Sequence, residues 1–479
     1  MKTRYIIAAA CLMTGSTASA QKTDLRLEAL KGIELDYQGT SSGAANSEVF
    51  NDLTYWNFFA VRYRGWNGGN GATSTTLPDG ATLWTFADSY FGLISENRER
   101  KRKLNNTTYN AGIVQTGEDT EDDFLTLNAY QGTSLADLDT YYKGLDWIPA
   151  AEDGTVYRPE DATLIKYDGE PLVQVLLSGY LNGERTETSV AEYTVTNGHE
   201  LQLKGIRRKV SLANVNYGRA ILEDDGHAYL YGELPRANIG GCYIVVARTS
   251  STDLTSRWEY YVKDADGNWS WQRTTPTEDE LKRSNIASGV RPSSPAVFTY
   301  GGKYYLCTID TGAIWITTST NPYGPFSGRR RLYAVPEEQQ DATLLAIHPQ
   351  LSRMGELPLS YCMQPVDITY YRRANTGKAL PIVVKGPDRN YYDWESADLN
   401  QVHFLRVIGW QSIYNIENVG PLPDSNKESY LATGIHELRQ ASDAAARDAS
   451  GTLYDLQGRR ISNEPERGIF IRDGKKIMK

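Results

Sequence analysis

Apolar and β-branched residues cluster in short stretches broken by glycine turns, and one such unit recurs along the chain. An apolar strand, a turn containing Gly and an aromatic-rich strand can be read five times. The copies are ATSTTLPDGATLWTFADS (72–89), ATLIKYDGEPLVQVLLSG (162–179), GRAILEDDGHAYLYGEL (218–234), PAVFTYGGKYYLCTID (295–310) and PQLSRMGELPLSYCM (349–363). Asp-Gly or Gly-Gly at 79–80, 168–169, 225–226 and 301–302 predicts tight hairpins, because such turns need residues that accept positive φ. Met354-Gly355 supplies the fifth turn. Between the copies, AEYTVTNGHELQL, YIVVARTSSTDLTSRWEYY, AIWITTSTNPYGPFS and ITYYRRANTGKALPIVV leave room for a second hairpin per unit. Four strands repeated five times predict an all-β five-bladed β-propeller over residues 51–423. A pair of β-sandwiches would explain the hairpins but not their recurrence, and the scarcity of helical periodicity excludes α/β alternation.

The two ends read differently. Lys2 and Arg4, an apolar run from Ile6 to Met13, and Ala18-Ser19-Ala20 predict a signal peptide over 1–20, hence a secreted or cell-surface protein. Residues 21–50 form a lead-in, and the Ala/Asp/Ser-rich stretch 424–450 reads as a linker. Residues 451–479 carry two short strand patterns around Gly458 and Gly468, then a basic tip, and so predict a small β module.

Composition narrows the partners. The 479 residues carry a formal charge of −9 and a pI near 5.3. Loss of Lys2 and Arg4 with the signal takes the charge to −11, which argues against a nucleic-acid partner. No later stretch approaches the ~20 apolar residues of a membrane span. RERKRK (98–103), RRK (207–209) and RRR (329–331) read as solvated charge runs in loops. Cys242, Cys307 and Cys362 lie in apolar runs and read as buried free thiols; no CxxC, HExxH, GxSxG or GK[ST] occurs. The excess of Tyr (32) over Phe (10) falls largely in the repeated strands, where it reads as packing.

In a propeller the first strand of each blade runs away from the ligand face, and the hairpin returns the chain to it. Residues before the first strand and after the second therefore meet at the channel mouth. Those positions hold Asn70, Asp88, Arg158, Glu160, Asp161, Ser178, Asn216, Tyr217, Arg219, Glu233, Arg236, Arg291, Ser293, Ser294, Asp310, His348, Gln350 and Gln364. All five mouths read as polar, which suits a polysaccharide or oligosaccharide. Glycoside hydrolysis needs two carboxyl groups, one protonated and one ionised. Asp88 closes the apolar strand LWTFAD and is the first candidate, equally readable as a turn cap; Glu233, Asp161 and Glu160 are the others. Trp66, beside the NGGNG loop, Tyr90 and Tyr217 are candidate stacking platforms for sugar rings, and Asn70, Arg158, Arg219, Arg291, Asp310 and Gln350 candidate polar contacts.

The phrases ARTSSTDLTSRWEYY and TSTNPYGPFSG resemble those of five-bladed glycoside hydrolases of family 43. The opening GGNGATSTTLPDGATLWTFADSYFG more closely resembles the propeller families catalogued as domains of unknown function 4185 and 5005. The likeness spans residues 50–420 and implies an exported glycoside hydrolase, with arabinofuranose polymers among the substrates. It places Glu160-Asp161 where family 43 has the Asp that tunes the acid. Asn70 stands where that family has its Asp base, and Asn216-Tyr217 where it has its Glu acid. An amide cannot act as a base, so either another carboxyl set operates or the protein binds glycans without cleaving them. The resemblance requires no cofactor, but implies that His348 could ligate a calcium ion in the channel. The spacing YDLQGRR, GIFI, DGKK resembles the C-terminal sorting domain of type IX secretion cargo, implying the type IX machinery as a partner.

Overall fold

A computed structural model describes residues 28–41, 46–60, 62–117, 122–336, 342–363, 383–385, 392–397 and 400–432, with the backbone of four short strands beyond 451. The proposed signal, Gln364 and most of the proposed linker lie outside these residues. The described chain is all-β, built of antiparallel sheets with a few short helices.

Four of the sheets start with predicted hairpins. The first contains Thr73–Thr76, Thr82–Phe86, Ala111–Gln115 and Phe124–Thr126; the second contains Val156–Tyr167, Glu170–Leu181, Glu184–Thr196 and Glu200–Ser211. The third runs from Asn216–Asp224 through His227–Pro235, Cys242–Thr249 and Trp258–Lys263 to Trp269–Gln272. The fourth contains Ser293–Tyr300, Lys303–Asp310, Ala313–Ser319 and Ser327–Ala334. Three of the predicted hairpin turns place consecutive residues at positive φ: Asp168-Gly169, Asp225-Gly226 and Gly301-Gly302. The first strands touch in chain order, each against the next, and Ser74 of the first reaches His348, just past the end of the fifth, at 2.6 Å.

The fifth sheet joins both ends of this body. Thr343–Ile347, Leu357–Met363 and Gln401–Ile408 are followed outward by Glu48–Asp52 and Leu35–Thr40. Buried Arg406 fixes the junction, bonding Asp52 at 2.6 Å and Glu356 at 2.7 Å. The fifth hairpin departs from expectation. Its first strand ends before His348, because Pro349 has no N–H for the ladder and opens a short 3-10 turn, Pro349–Leu351.

A further sheet is built of insertions: Arg64–Gly69, Ser89–Ile94, Glu99–Thr108, Tyr392–Ser396 and Val383–Lys385. Its clamp is Arg100, fully buried, bonded to Asn67, Glu395, Ser396 and Ala397 and lying 4.1 Å over Tyr90. The RERKRK run is therefore not a solvated loop. Nor are the other two: Arg208 lies in a strand and binds Glu187 at 2.8 Å, and Arg329 binds Asp310 at 2.6 Å. The runs lie largely in strands rather than loops, but apart from Arg100 most of their cations, including residues 101–103 and 207–209, are exposed as a solvated charge run should be.

Tyrosine serves mainly as packing: Tyr157, Tyr193, Tyr217, Tyr231, Tyr300 and Tyr305 are among the largest fully buried side chains. Cys307 and Cys362 are buried free thiols and Cys242 is half-buried. Beyond 451, Ile469–Arg472 pairs with Lys475–Met478 and with Leu453–Tyr454, which also pairs with Arg460–Ile461.

Candidate functional site

Four of the five first strands carry the same irregularity at the same level. Pairing with the second strand slips between Pro159 and Ala162, Tyr217 and Ala220, Ser293 and Ala296, and Thr343 and Ala346. Each bulge frees two residues from the ladder: Glu160-Asp161, Gly218-Arg219, Ser294-Pro295 and Leu344-Leu345. A bulge re-aims side chains, and here it turns Glu160, Arg219 and Ser294 toward one small cavity of about 30 Å³. Asn70, Gly71, Thr73 and Thr85 line it from the first sheet, and Leu344 and Leu345 from the fifth. Gly218 has φ +91°, and a Cβ there would run into Leu176 and Glu160, so the turn behind Arg219 needs glycine.

Arg219 is the centre of this cluster. Its Nη1 lies 2.8 Å from Glu160 Oε2, and its Nε donates to Glu233 Oε2 at 2.9 Å. The two carboxylates, both buried, thus approach one guanidinium from neighbouring sheets. The second oxygen of each is also held: Ser178 Oγ donates to Glu160 at 2.7 Å, and the Ser294 amide donates to Glu233 at 2.6 Å. Burial raises the Glu160 pKa, opposed by Arg219 and Ser178. Burial alone would lower that of Arg219, but the two glutamates hold it above its ordinary value. Burial and the neighbouring Glu233 push the Cys242 thiol up to about 12, so it offers no thiolate at neutral pH.

Asp161, from the same bulge as Glu160, serves a different end. Its carboxylate accepts from the amides of Ala162 and Ile221 at 2.9 Å each, tying the second sheet to the third inside the channel. Burial pushes its pKa to about 7, against the pull of those amides. Asp88 lies at the mouth but is gripped by Arg158, whose guanidinium stacks on Tyr180 at 4.6 Å. Asp310 is buried beneath the rim, accepting from Val290 and Arg291 amides at 2.8 and 3.0 Å and from Arg329 at 2.6 Å. It holds a loop, and its carboxylate is spent on these three donors.

Several expectations are corrected. Trp66 is buried among Phe59, Phe86 and Phe124, and Tyr217 is buried against Trp258 and Tyr260, so neither offers a face to a sugar. Tyr90 lies under Arg100 and accepts from Asn400, inside the insertion sheet. Gln350 and His348 follow the fifth first strand rather than opening it, so they lie at the end of the channel opposite the mouth. The fifth mouth is accordingly apolar, made by Leu344 and Leu345.

His348 does not fit a calcium ion. Its Nδ1 pairs with Ser74 at 2.6 Å and its Nε2 with Ser360 at 2.8 Å, and Trp84 and Phe404 pack against the ring. Burial lowers its pKa to about 3, so the imidazole is neutral but has no nitrogen to spare. Among the described residues no three His, Cys, Asp or Glu side chains group as a metal site.

Arg185 escaped the sequence reading. It bonds the Ala213 carbonyl at 3.1 Å and lies near enough to Glu160 for burial to be the main and charge the second influence on its pKa. Asp146, close to Asp88 and holding the Tyr109 amide at 2.7 Å, comes from a loop that no hairpin pattern marks.

A family model described as a domain of unknown function, DUF5005, matches residues 52–410. The chain belongs to this family. No curated protein matches this DUF5005 chain. Among solved structures it is similar to a Bacteroides ovatus protein provisionally called a hydrolase, at 27% identity and TM-score 0.65. That likeness covers 85% of this chain and 99% of the other. A GH43_1 enzyme from Xanthomonas citri aligns at 13% identity and TM-score 0.36, covering 74% of this chain and 92% of that one. An α-L-arabinanase from Cellvibrio cellulosa aligns at 13% and 0.35, covering 76% and 98%. The Bacteroides likeness extends the shared fold over nearly all of the DUF5005 body.

Proposed function

We propose that this DUF5005 protein is an exported glycoside hydrolase with a five-bladed propeller fold, working at the mouth of its channel. The blade count rests on the five sheets whose first strands meet in order around one axis. The observation that carries the chemistry is Arg219 between Glu160 and Glu233, at 2.8 and 2.9 Å, beneath the open end. Two carboxyl groups at one site are the minimum a glycosidase requires; Glu160 lines the small cavity, and Glu233 is tied to it through Arg219. Glu160, its pKa raised by burial, suits the general acid, and Glu233 the base or nucleophile. Arg219 orients both and would have to turn toward substrate for Glu160 to keep its proton. Export rests on the signal pattern of 1–20, and type IX passage on the motif spacing of 451–479.

A second reading has its own support. Asn70 lines the cavity where a basic Asp is expected, and about 30 Å³ holds a water molecule or two but no sugar ring. A protein that grips a glycan at this rim without cleaving it meets both facts. A polysaccharide panel, arabinan included, with detection of new reducing ends separates the readings. Released sugar supports the hydrolase, and binding without product supports the lectin-like reading. Neither product nor binding overturns both.

A further inference from the structure

A larger opening lies beside the Glu160–Arg219–Glu233 cluster. It is about 470 Å³, within the range of small-molecule sites, and open to solvent. Arg291, Ser293, Asp310 and Thr343 line it, with two turns, Gly240-Gly241 and Thr311-Gly312. Ser293 joins it to the catalytic cavity, because the next residue, Ser294, donates its amide to Glu233.

The charges in this opening do not balance. Asp310 is already satisfied by Arg329 and two amides. Arg329 is spent on Asp310 and stacked 3.6 Å over Trp315. Nearby Arg236 donates to the Val290 carbonyl at 3.0 Å and lies 4.5 Å over Tyr243. Arg291 is exposed, and among the described residues its guanidinium has no partner; only its backbone amide is used. An unpaired arginine is thus presented to a sugar-sized opening on a chain whose formal charge is −9. Both turns are left-handed at consecutive residues, with φ of +72° and +70° at Gly240-Gly241 and +50° and +72° at Thr311-Gly312. Successive amides in such turns form concavities that favour anions. At Gly241 a Cβ would lie 2.5 Å from the Arg291 backbone, so glycine lets this wall close on the arginine.

We infer that this opening takes an acidic sugar, whose carboxylate or sulfate ester pairs with Arg291 while the chain continues over the Glu233 cluster. The inference rests on the glycan reading above and narrows its substrate to anionic polysaccharides. A guanidinium offers a planar fork matched to such oxyanions, which an ammonium does not.

The test is calorimetric titration of the wild type, Arg291→Gln and Arg291→Lys with three probes: an oligogalacturonate, a sulfated oligosaccharide and a neutral arabino-oligosaccharide. An acidic probe is expected to bind the wild type best, at least tenfold more weakly in R291Q and at an intermediate level in R291K. Which acidic probe responds identifies carboxylate or sulfate as the partner. Arg291 is exposed, so melting temperature is expected to be unchanged in both variants. Equal affinity of R291Q and wild type for acidic probes overturns the inference alone, as does wild-type preference for the neutral probe. Failure of every saccharide to bind overturns the glycan reading together with it.

Discussion

Arg158 holds both carboxylate oxygens of Asp88, Nε to Oδ1 and Nη2 to Oδ2, at 2.9 Å each across the seam between the first two sheets. The pair is about one-third exposed, at 34% and 38% of the side chains. Exposed pairs contribute roughly 0–1 kcal/mol, even with good geometry. Asp88→Asn is therefore expected to shift unfolding free energy by no more than about 1 kcal/mol. Its effect on sugar release is expected to be smaller than that of Glu233→Gln. Chemical denaturation and reducing-end assays check the two halves separately.

Arg219 behaves differently. Arg219→Met leaves Glu160 and Glu233 buried without their shared cation, and breaking a buried pair in this way costs about 3–5 kcal/mol. The Glu160 carboxyl, already raised by burial, then loses the opposing pull of Arg219 and rises further above its unfolded value. Such groups stabilise the fold below the unfolded value, and that contribution is lost as pH rises. The variant's deficit is accordingly expected to shrink in urea unfolding at pH 5 relative to pH 7.5.

Glu223 provides a pH test within the channel. It is buried, accepts from Thr163, and takes a 2.7 Å bond from Asn426 in the segment that covers the channel's far end. Burial pushes its pKa to about 7. A raised folded pKa gives stability that is full below the unfolded value and lost on passing upward through pH 7. His348, lowered to about 3 by burial, acts oppositely, losing stability as pH falls below about 6.5. Glu223→Gln removes only the first effect. Between pH 7 and 5 the variant is expected to lose stability on acidification relative to wild type, by up to about 1.4 kcal/mol per pH unit.

Trp66 separates packing from recognition. Trp66→Ala empties a site in the Phe59–Phe86–Phe124 cluster and is expected to cost about 3–5 kcal/mol. Trp66→Phe, which keeps most of the aromatic volume, is expected to fold and to bind glycans as the wild type does. Weakened binding in a stably folded Trp66→Phe would return this residue to the site.

The hairpins were legible because their turns demand Gly and Asp at fixed places, as at Asp168-Gly169 and Gly301-Gly302. The fifth was misplaced because the text 349–363 starts at Pro349, which ends a strand rather than opening one. Hairpin geometry alone sets which residues return to the mouth, and the structure brings three of those positions, Glu160, Arg219 and Glu233, into contact. Their grouping was not legible. It depends on bulges whose left-handed residues include Ser294 and Leu344, neither of which signals positive φ in a sequence. Aromatics beside the mouth were misread for a related reason. Alternation along a strand decides whether a Trp faces sugar or core, and NGGNG carries too little pattern to fix the face of Trp66.

The central claim is that the carboxyl pair flanking Arg219 performs glycoside cleavage. Its most direct test is the rate of reducing-end release by Glu233→Gln on whichever polysaccharide the wild type cleaves, with folding verified by thermal unfolding. Loss of a general acid–base or nucleophilic carboxylate predicts a fall of about 100-fold or more with the fold retained. A folded Glu233→Gln that releases sugar at the wild-type rate would contradict the account.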